Sequence, residues 1–189
     1  MGMKNDKWFL KGCEFAASNS KCLSRKIGAL IVRDGKIIST GYNGPATGIP
    51  HCKDRFDINL SERKVDDELI NAVLEKSIEK GIDFQKLLKF ARTSNKCPRQ
   101  VLGYKSGEGL HLCIAGHAER NAIVNAAYLG VKCKGALMYM NCPVPCTPCL
   151  IEIINAGISE IIITNMTHYD SMSSWHLANS DLKVRLFNA

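Results

Sequence analysis

Two short stretches of this 189-residue chain carry side chains that could do chemistry together. "GHAERNAI" supplies His117 and Glu119, and "PCTPCL" supplies Cys146 and Cys149. A Cys-x-x-Cys pair on its own can be a redox couple, a disulfide clip, half of a structural zinc site, or two ligands of a catalytic metal. His117 shifts that balance. One imidazole and two thiolates make three zinc ligands and leave a fourth position for water, which is the composition of a catalytic site; a structural site is closed by four protein ligands. Bound zinc lowers the pKa of its water towards about 7. Glu119, two residues from His117, is a carboxylate in the right place to take that water's proton and hand it on.

The surrounding pattern predicts how these residues are held. A helix is expected over 118–129, ending at Gly130, and another over 147–156, ending at Gly157, with the strand "ALMYM" between them. Both ligand sets then open helices, where free N–H groups and the positive dipole end favour thiolate and hydroxide. Upstream, Lys7–Asn19 reads as an amphipathic helix with Trp8, Phe9, Phe15 and Ala16 at helical spacing. Strands at 29–32 and 36–40 flank an "RDG" turn, and the loop "GYNGPATG" follows. Downstream come the strand "EIIIT", a short helix at 171–178 and a last strand near 183–187. Alternating strands and helices imply an α/β layered sandwich around one sheet. Residues 53–96 differ, being rich in Lys, Asp and Glu. Their apolar residues (Leu69, Val73, Leu74, Ile78, then Phe84, Leu87, Leu88) have helical period and read as one or two helices inserted within a single domain of residues 1–189.

Bulk properties narrow the classes. Hydrophobic residues at 46% and charged residues at 23% are ordinary for a soluble globular protein. No apolar run approaches the roughly 20 residues that span a bilayer, and the charged N-terminal stretch lacks a secretory signal's apolar core. A cytoplasmic location without a membrane partner is expected. Nine cysteines in a reducing compartment are thiols or metal ligands before they are disulfides. The net charge of +7 suits an anionic partner, although no same-sign run forms a nucleic-acid arm.

His-x-Glu followed by Pro-Cys-x-x-Cys is the signature of zinc nucleobase deaminases. The chain resembles the deoxycytidylate (dCMP) deaminase branch of the cytidine deaminase superfamily over most of residues 7–187, with "SKCLSRKIGALIV", "GYNGPATGIPHC", "SGEGLHLCIAGHAERNAI" and "INAGI" at the expected places. The resemblance implies an α/β/α sandwich around a five-stranded mixed sheet. It implies that His117, Cys146 and Cys149 bind catalytic zinc, that Glu119 shuttles protons, and that Asn43 of "GYNG" hydrogen-bonds the nucleotide. Lys26 and Arg25 are candidates for the monophosphate, and Tyr169 of "THYDS" resembles an aromatic residue that packs near substrate. Each has a plainer reading: a Gly-Asn loop makes turns on its own account, basic residues are commonly solvated, and a loop tyrosine packs.

Some relatives carry a second, structural zinc, and by resemblance Cys22, Cys52, Cys97 and Cys113 would close it here. Such a site would tie down both ends of the 53–96 insert. Ala115 and Gly107 stand where phage relatives have ligands, and His51 and His111 are alternative donors. Cys13, Cys133 and Cys142 read as plain thiols. The resemblance also implies a homo-oligomer, in many members a hexamer, with Mg-dependent dCTP activation and dTTP inhibition through the "GYNG" loop. The expected reaction is hydrolysis of dCMP to dUMP and ammonia, which supplies dTMP synthesis. Alternatives are another deaminase substrate (free cytidine, a modified base, tRNA adenosine) or a catalytically silent zinc scaffold that binds nucleotide or nucleic acid.

Overall fold

A computed structural model describes residues 5–58, 64–105 and 107–187. Residues 59–63 of the expected insert and Ser106 of the quoted motif lie outside the described residues. In chain order the elements are α1 (Asp6–Ser18), β1 (Gly28–Arg33), β2 (Lys36–Tyr42), α2 (Asp67–Lys80), α3 (Phe84–Thr93), α4 (Pro98–Val101), α5 (Ala118–Tyr128), β3 (Leu137–Met140), α6 (Thr147–Asn155), β4 (Glu160–Ile163), α7 (Ser171–Ala178) and β5 (Lys183–Leu186). Contacts divide the chain into two compact units. The first holds residues 1–20, 26–44 and 116–189, and the second holds 21–25 and 45–115.

Unit one is built on a sheet in the order β2-β1-β3-β4-β5. β1 pairs antiparallel with β2 and β3, while β3–β4 and β4–β5 are parallel, so the sheet is mixed. Asp34 and Gly35 both adopt positive φ, 51° and 71°, which matches a two-residue hairpin to the strands' twist. Period-two alternation then sorts the strands' side chains onto two faces. Leu30, Val32, Tyr139 and Ile162 pack with Phe9, Cys13 and Ala16 of α1. Ala29, Ile31, Met138, Met140, Ile161 and Ile163 pack with Ala118, Ala122 and Ala126 of α5 and Leu150 and Ile153 of α6. A sheet covered by helices on both faces is the three-layer α/β architecture.

α1 buries Phe9, Cys13, Ala16 and Ala17, spaced i, i+4, i+7 and i+8. Trp8 and Phe15 were expected to pack at this spacing but lie on the outer face, 61% and 77% exposed. Periodicity identifies a helix without saying which of two apolar stripes meets the sheet. Cys13 shows how dry the chosen stripe is, since burial pushes its thiol up to about 12.

Unit two has its own core of Phe56, Leu69, Val73, Leu87, Leu88, Ala91, Val101, Leu102 and Leu112. Asp66 caps α2 by accepting from Leu69 N–H at 3.0 Å, and Asp83 caps α3 from Lys86 N–H at 2.9 Å. Gly81 closes α2 in the left-handed conformation, φ 61°. Buried Arg55 donates to Asp66 Oδ2 and to the Leu112 carbonyl, each at 2.7 Å, fixing the start of α2 to the segment before Cys113. Leu74 and Ile78 of the helical pattern are exposed, because Leu69, Val73 and Ser77 form the packed stripe.

Candidate metal centre and active site

The site's helices are seated by close backbone approach. A Cβ added to Gly41 of β2 would lie 2.2 Å from Ala118 O and 2.3 Å from Ala122 N, so α5 rests directly on the strand. Asn121 and Asn125 donate across to Tyr42 O and Thr40 O at 2.8 Å each. Gly44 and Gly116 form an antiparallel bridge with N···O distances of 3.1 and 2.8 Å, which joins the "GYNG" loop to the residue before His117.

His117 is the N-cap residue of α5 and Cys146 that of α6, both in extended backbone. Cys149 follows in the first turn of α6, fully buried. His117 Nδ1 lies 3.4 Å from Cys146 Sγ and 3.3 Å from Cys149 Sγ. Tetrahedral zinc with ordinary Zn–N and Zn–S bonds needs N···S separations of about 3.6 Å. The donors therefore already stand at nearly the spacing of a bound ion. They are the one group of three such donors drawn within 4.8 Å of one another among the described residues. Composition and geometry both fit zinc.

Electrostatics favour the metal as well. Cys146 is pushed down to about 4, chiefly by the hydrogen bond from Cys149, which outweighs burial, and then by His117. Cys149, the donor in that pair and buried, is pushed up. His117 is raised by its hydrogen bond to Cys146, against burial. One proton shared between two thiols beside an imidazole is a place that a divalent cation takes over.

Glu119 is 4% exposed in the first turn of α5. Burial raises its pKa, opposed by its backbone hydrogen bond and by His117, so the carboxyl holds a proton more readily than a surface glutamate. That is the bias a proton shuttle needs near neutral pH.

The remaining sequence candidates sort themselves by place. Asn43 is buried; its Oδ1 accepts from Ile27 N–H at 2.8 Å and its N–H donates to Ile27 O at 3.1 Å. Lys26, one residue before Ile27, is exposed in unit one, whereas Arg25 is exposed in unit two. Tyr169 is 39% exposed and precedes Asp170, which accepts at 2.9 Å from the N–H of Thr147, between Cys146 and Cys149. Sequence reasoning missed Asp170. Its position before "SMS" marks a helix cap, but nothing in the chain order points to Thr147. It also missed the Arg120–Glu152 ion pair at 2.8 Å, which joins α5 to α6 one turn beyond His117 and Cys149.

Comparison with known proteins agrees with this geometry. Residues 3–165 match the family model described as the cytidine and deoxycytidylate deaminase zinc-binding region. The chain belongs to that family. It is 28% identical over 183 residues to a deoxycytidylate deaminase of Saccharomyces cerevisiae, covering 97% of this chain and 45% of the yeast protein. It is also 28% identical over 173 residues to the deoxycytidylate deaminase of Enterobacteria phage T4, covering 91% and 83% of the two chains. This chain thus spans about half the length of the yeast relatives it matches. Among solved structures, the dCMP deaminase of cyanophage S-TIM5, crystallised with dCMP and dUMP, has the same fold with a TM-score of 0.62, 19% identity and 98% of each chain covered.

Proposed function

We propose that this protein hydrolyses dCMP to dUMP and ammonia. The observation that carries the reading is the preformed His117–Cys146–Cys149 donor set with buried Glu119 on the same helix turn, in a chain of this family. The named relatives are deoxycytidylate deaminases, and one neighbour was crystallised with the substrate and product proposed here.

When bound, zinc supplies a nucleophilic water at neutral pH. His117, Cys146 and Cys149 would hold it, with the helix N-termini behind them favouring the thiolates. Glu119 would accept the water's proton and deliver it to the pyrimidine N3, then take the remaining proton of the hydroxyl added at C4 and pass it to the amino group, which leaves as ammonia. Asn43, whose Oδ1 accepts from Ile27 N–H, sits on the loop bridged to Gly116 and would hydrogen-bond the sugar. Lys26 and Arg25 would serve the phosphate, and Tyr169 would pack against the base or sugar. Regulation by Mg-dCTP and dTTP through the "GYNG" loop, assembly into a homo-oligomer and a cytoplasmic location complete the reading. No helix of the described residues is long and apolar enough to cross a membrane.

A second zinc is part of the proposal. Cys22, Cys52, Cys97 and Cys113 all fall in unit two, and none of them forms a disulfide. Cys52 is pushed up to about 11 by burial and then by the charges of Cys97, Cys22 and Cys113 that face it, with Arg55 opposing. A buried thiol with three others near it is a place that a shared cation would suit. Metal analysis of purified protein should give two zinc ions per chain, falling to one in Cys52→Ser; one ion in both proteins refutes the second site.

The decisive assay is ammonia release with dCMP, CMP, dCTP, deoxycytidine and tRNA in parallel, with and without Mg-dCTP. Turnover of dCMP with little on deoxycytidine is expected, since the phosphate is recognised. Silence on every pyrimidine from zinc-loaded protein would overturn the assignment.

A further inference from the structure

The turn that carries both metal cysteines is held from outside its own helix. Thr147, between Cys146 and Cys149, donates its N–H to Asp170 Oδ2 at 2.9 Å and its hydroxyl to Asp170 Oδ1 at 2.5 Å. The same carboxylate caps α7, with Oδ1 accepting from Ser173 N–H at 2.8 Å while Ser173 Oγ donates to Asp170 O at 2.7 Å. Capping α7 needs only the bond to Ser173. The two bonds to Thr147, which use both carboxylate oxygens, are surplus to that task. They satisfy one of the unpaired N–H groups at the start of α6, the helix whose first turn presents Cys149.

We propose that Asp170 is a positioning residue for the metal centre, fixing the Cys146–Cys149 turn and carrying the Tyr169 loop with it in one register. Asp170 makes no contact with the ligand atoms and acts through Thr147. The carboxylate is suited to this. Burial alone would raise its pKa, but the bonds from Thr147 and Ser173 overcome that and lower it, so it stays an acceptor at both oxygens. An asparagine cannot replace it, because whichever way its amide turns the NH2 meets a backbone N–H, that of Thr147 or that of Ser173. Outer bonds of this kind orient ligands and commonly change metal affinity or activity by about 10–100-fold.

The inference rests on the zinc reading above but not on the identity of the substrate, and its test separates the two. Full-length protein and the variants Asp170→Asn, Asp170→Ala, Thr147→Val, Thr147→Ser and Ser173→Ala would be loaded with zinc or cobalt(II). Metal release to a competing chelator and the cobalt absorption bands would be followed, together with thermal melting. Both Asp170 variants should release zinc about tenfold faster and shift the cobalt bands. Thr147→Val should do so more weakly, and Thr147→Ser should match the parent. Ser173→Ala, which leaves the carboxylate in place, should lower the melting point without altering release or spectrum. With dCMP as substrate, the Asp170 variants should raise KM as well as lower kcat, because Tyr169 moves with the turn.

Asp170 variants that melt lower yet keep the parent's release rate and spectrum would reduce the residue to a cap of α7. If neither Asp170 variant folds, unchanged release and spectrum in Thr147→Val overturns the proposal just as well. A parent chain that takes up no cobalt refutes the metal centre and this role together, while normal uptake without dCMP turnover refutes only the substrate.

Discussion

At the residue scale, Glu119 is the sharpest commitment. Its burial biases it towards holding a proton, and its place in the first turn of α5 keeps it beside His117 without making it a ligand. Glu119→Gln keeps the side chain's shape but removes the group that accepts and returns protons. Zinc content should stay at the parent level, and turnover of dCMP should fall by about 10²–10⁴-fold. The check is metal analysis and ammonia release on one preparation; a variant with most of its activity left would remove Glu119 from the role. The clustering of His117, Cys146 and Cys149 was readable in the sequence because metal chemistry restricts their types and the chain order places each set at a helix start. Asp170 was not, because its partner Thr147 lies 23 residues earlier and only the packing of α6 and α7 joins them.

At the scale of elements, short apolar runs located the central strands, since burial on both faces fills every position, and terminal glycines located the helices that begin at His117 and Cys146. Periodicity failed where a helix carries more apolar residues than its packed face can take, as with Trp8 and Phe15 in α1 and Leu74 and Ile78 in α2. Invisible too was the use made of Gly41. Its absent side chain lets α5 lie against β2 with backbone, not flexible side chain, as the nearest neighbour. Gly41→Ala therefore has nowhere to relax, and should cost about 3 kcal/mol of stability, the upper part of the usual overpacking range. α5 would be displaced together with His117 and Glu119. Urea unfolding and zinc content would test this, and a variant with unchanged midpoint and metal would show that the helix has slack.

At the scale of the whole molecule, unit one is closed by a buried polar group that joins distant parts of the chain. Asp6 of α1 accepts from Tyr139 Oη at 2.6 Å and from Arg185 Nη2 at 3.0 Å, and Arg185 also pairs with Glu160 at 3.2 Å. Burial works to raise the pKa of Asp6, yet the Arg185 and Tyr139 bonds prevail and lower it. A depressed carboxylate pKa contributes stability that is present above its unfolded value of about 4 and lost as pH falls through the folded value. Asp6→Asn should cost about 2 kcal/mol at neutral pH, discounted for Arg185's partial exposure, and progressively less below pH of about 4. Denaturant unfolding of both proteins at pH 7, 5 and 3 would show the gap narrowing; a constant gap would deny Asp6 its charge.

The division of the chain into units also sets the order in which the protein can assemble. β1 and β2 form a local hairpin, but β1's other neighbour, β3, lies about a hundred residues further along, beyond nearly all of unit two. Joining such distant strands costs loop entropy, and the cost is smaller if the intervening segment has already become compact. During synthesis, residues 45–115 leave the ribosome before β3 does, with their own core and capped helices. The hairpin meanwhile waits with one edge of β1 unpaired, a template for pairing with other chains until β3 arrives. Of the proposed metal donors, His117 emerges before β3 and the two cysteines after it. The proposed centre therefore cannot be complete until the chain has grown past β3, with β4 and β5 still to follow, and zinc capture during synthesis would date that stage.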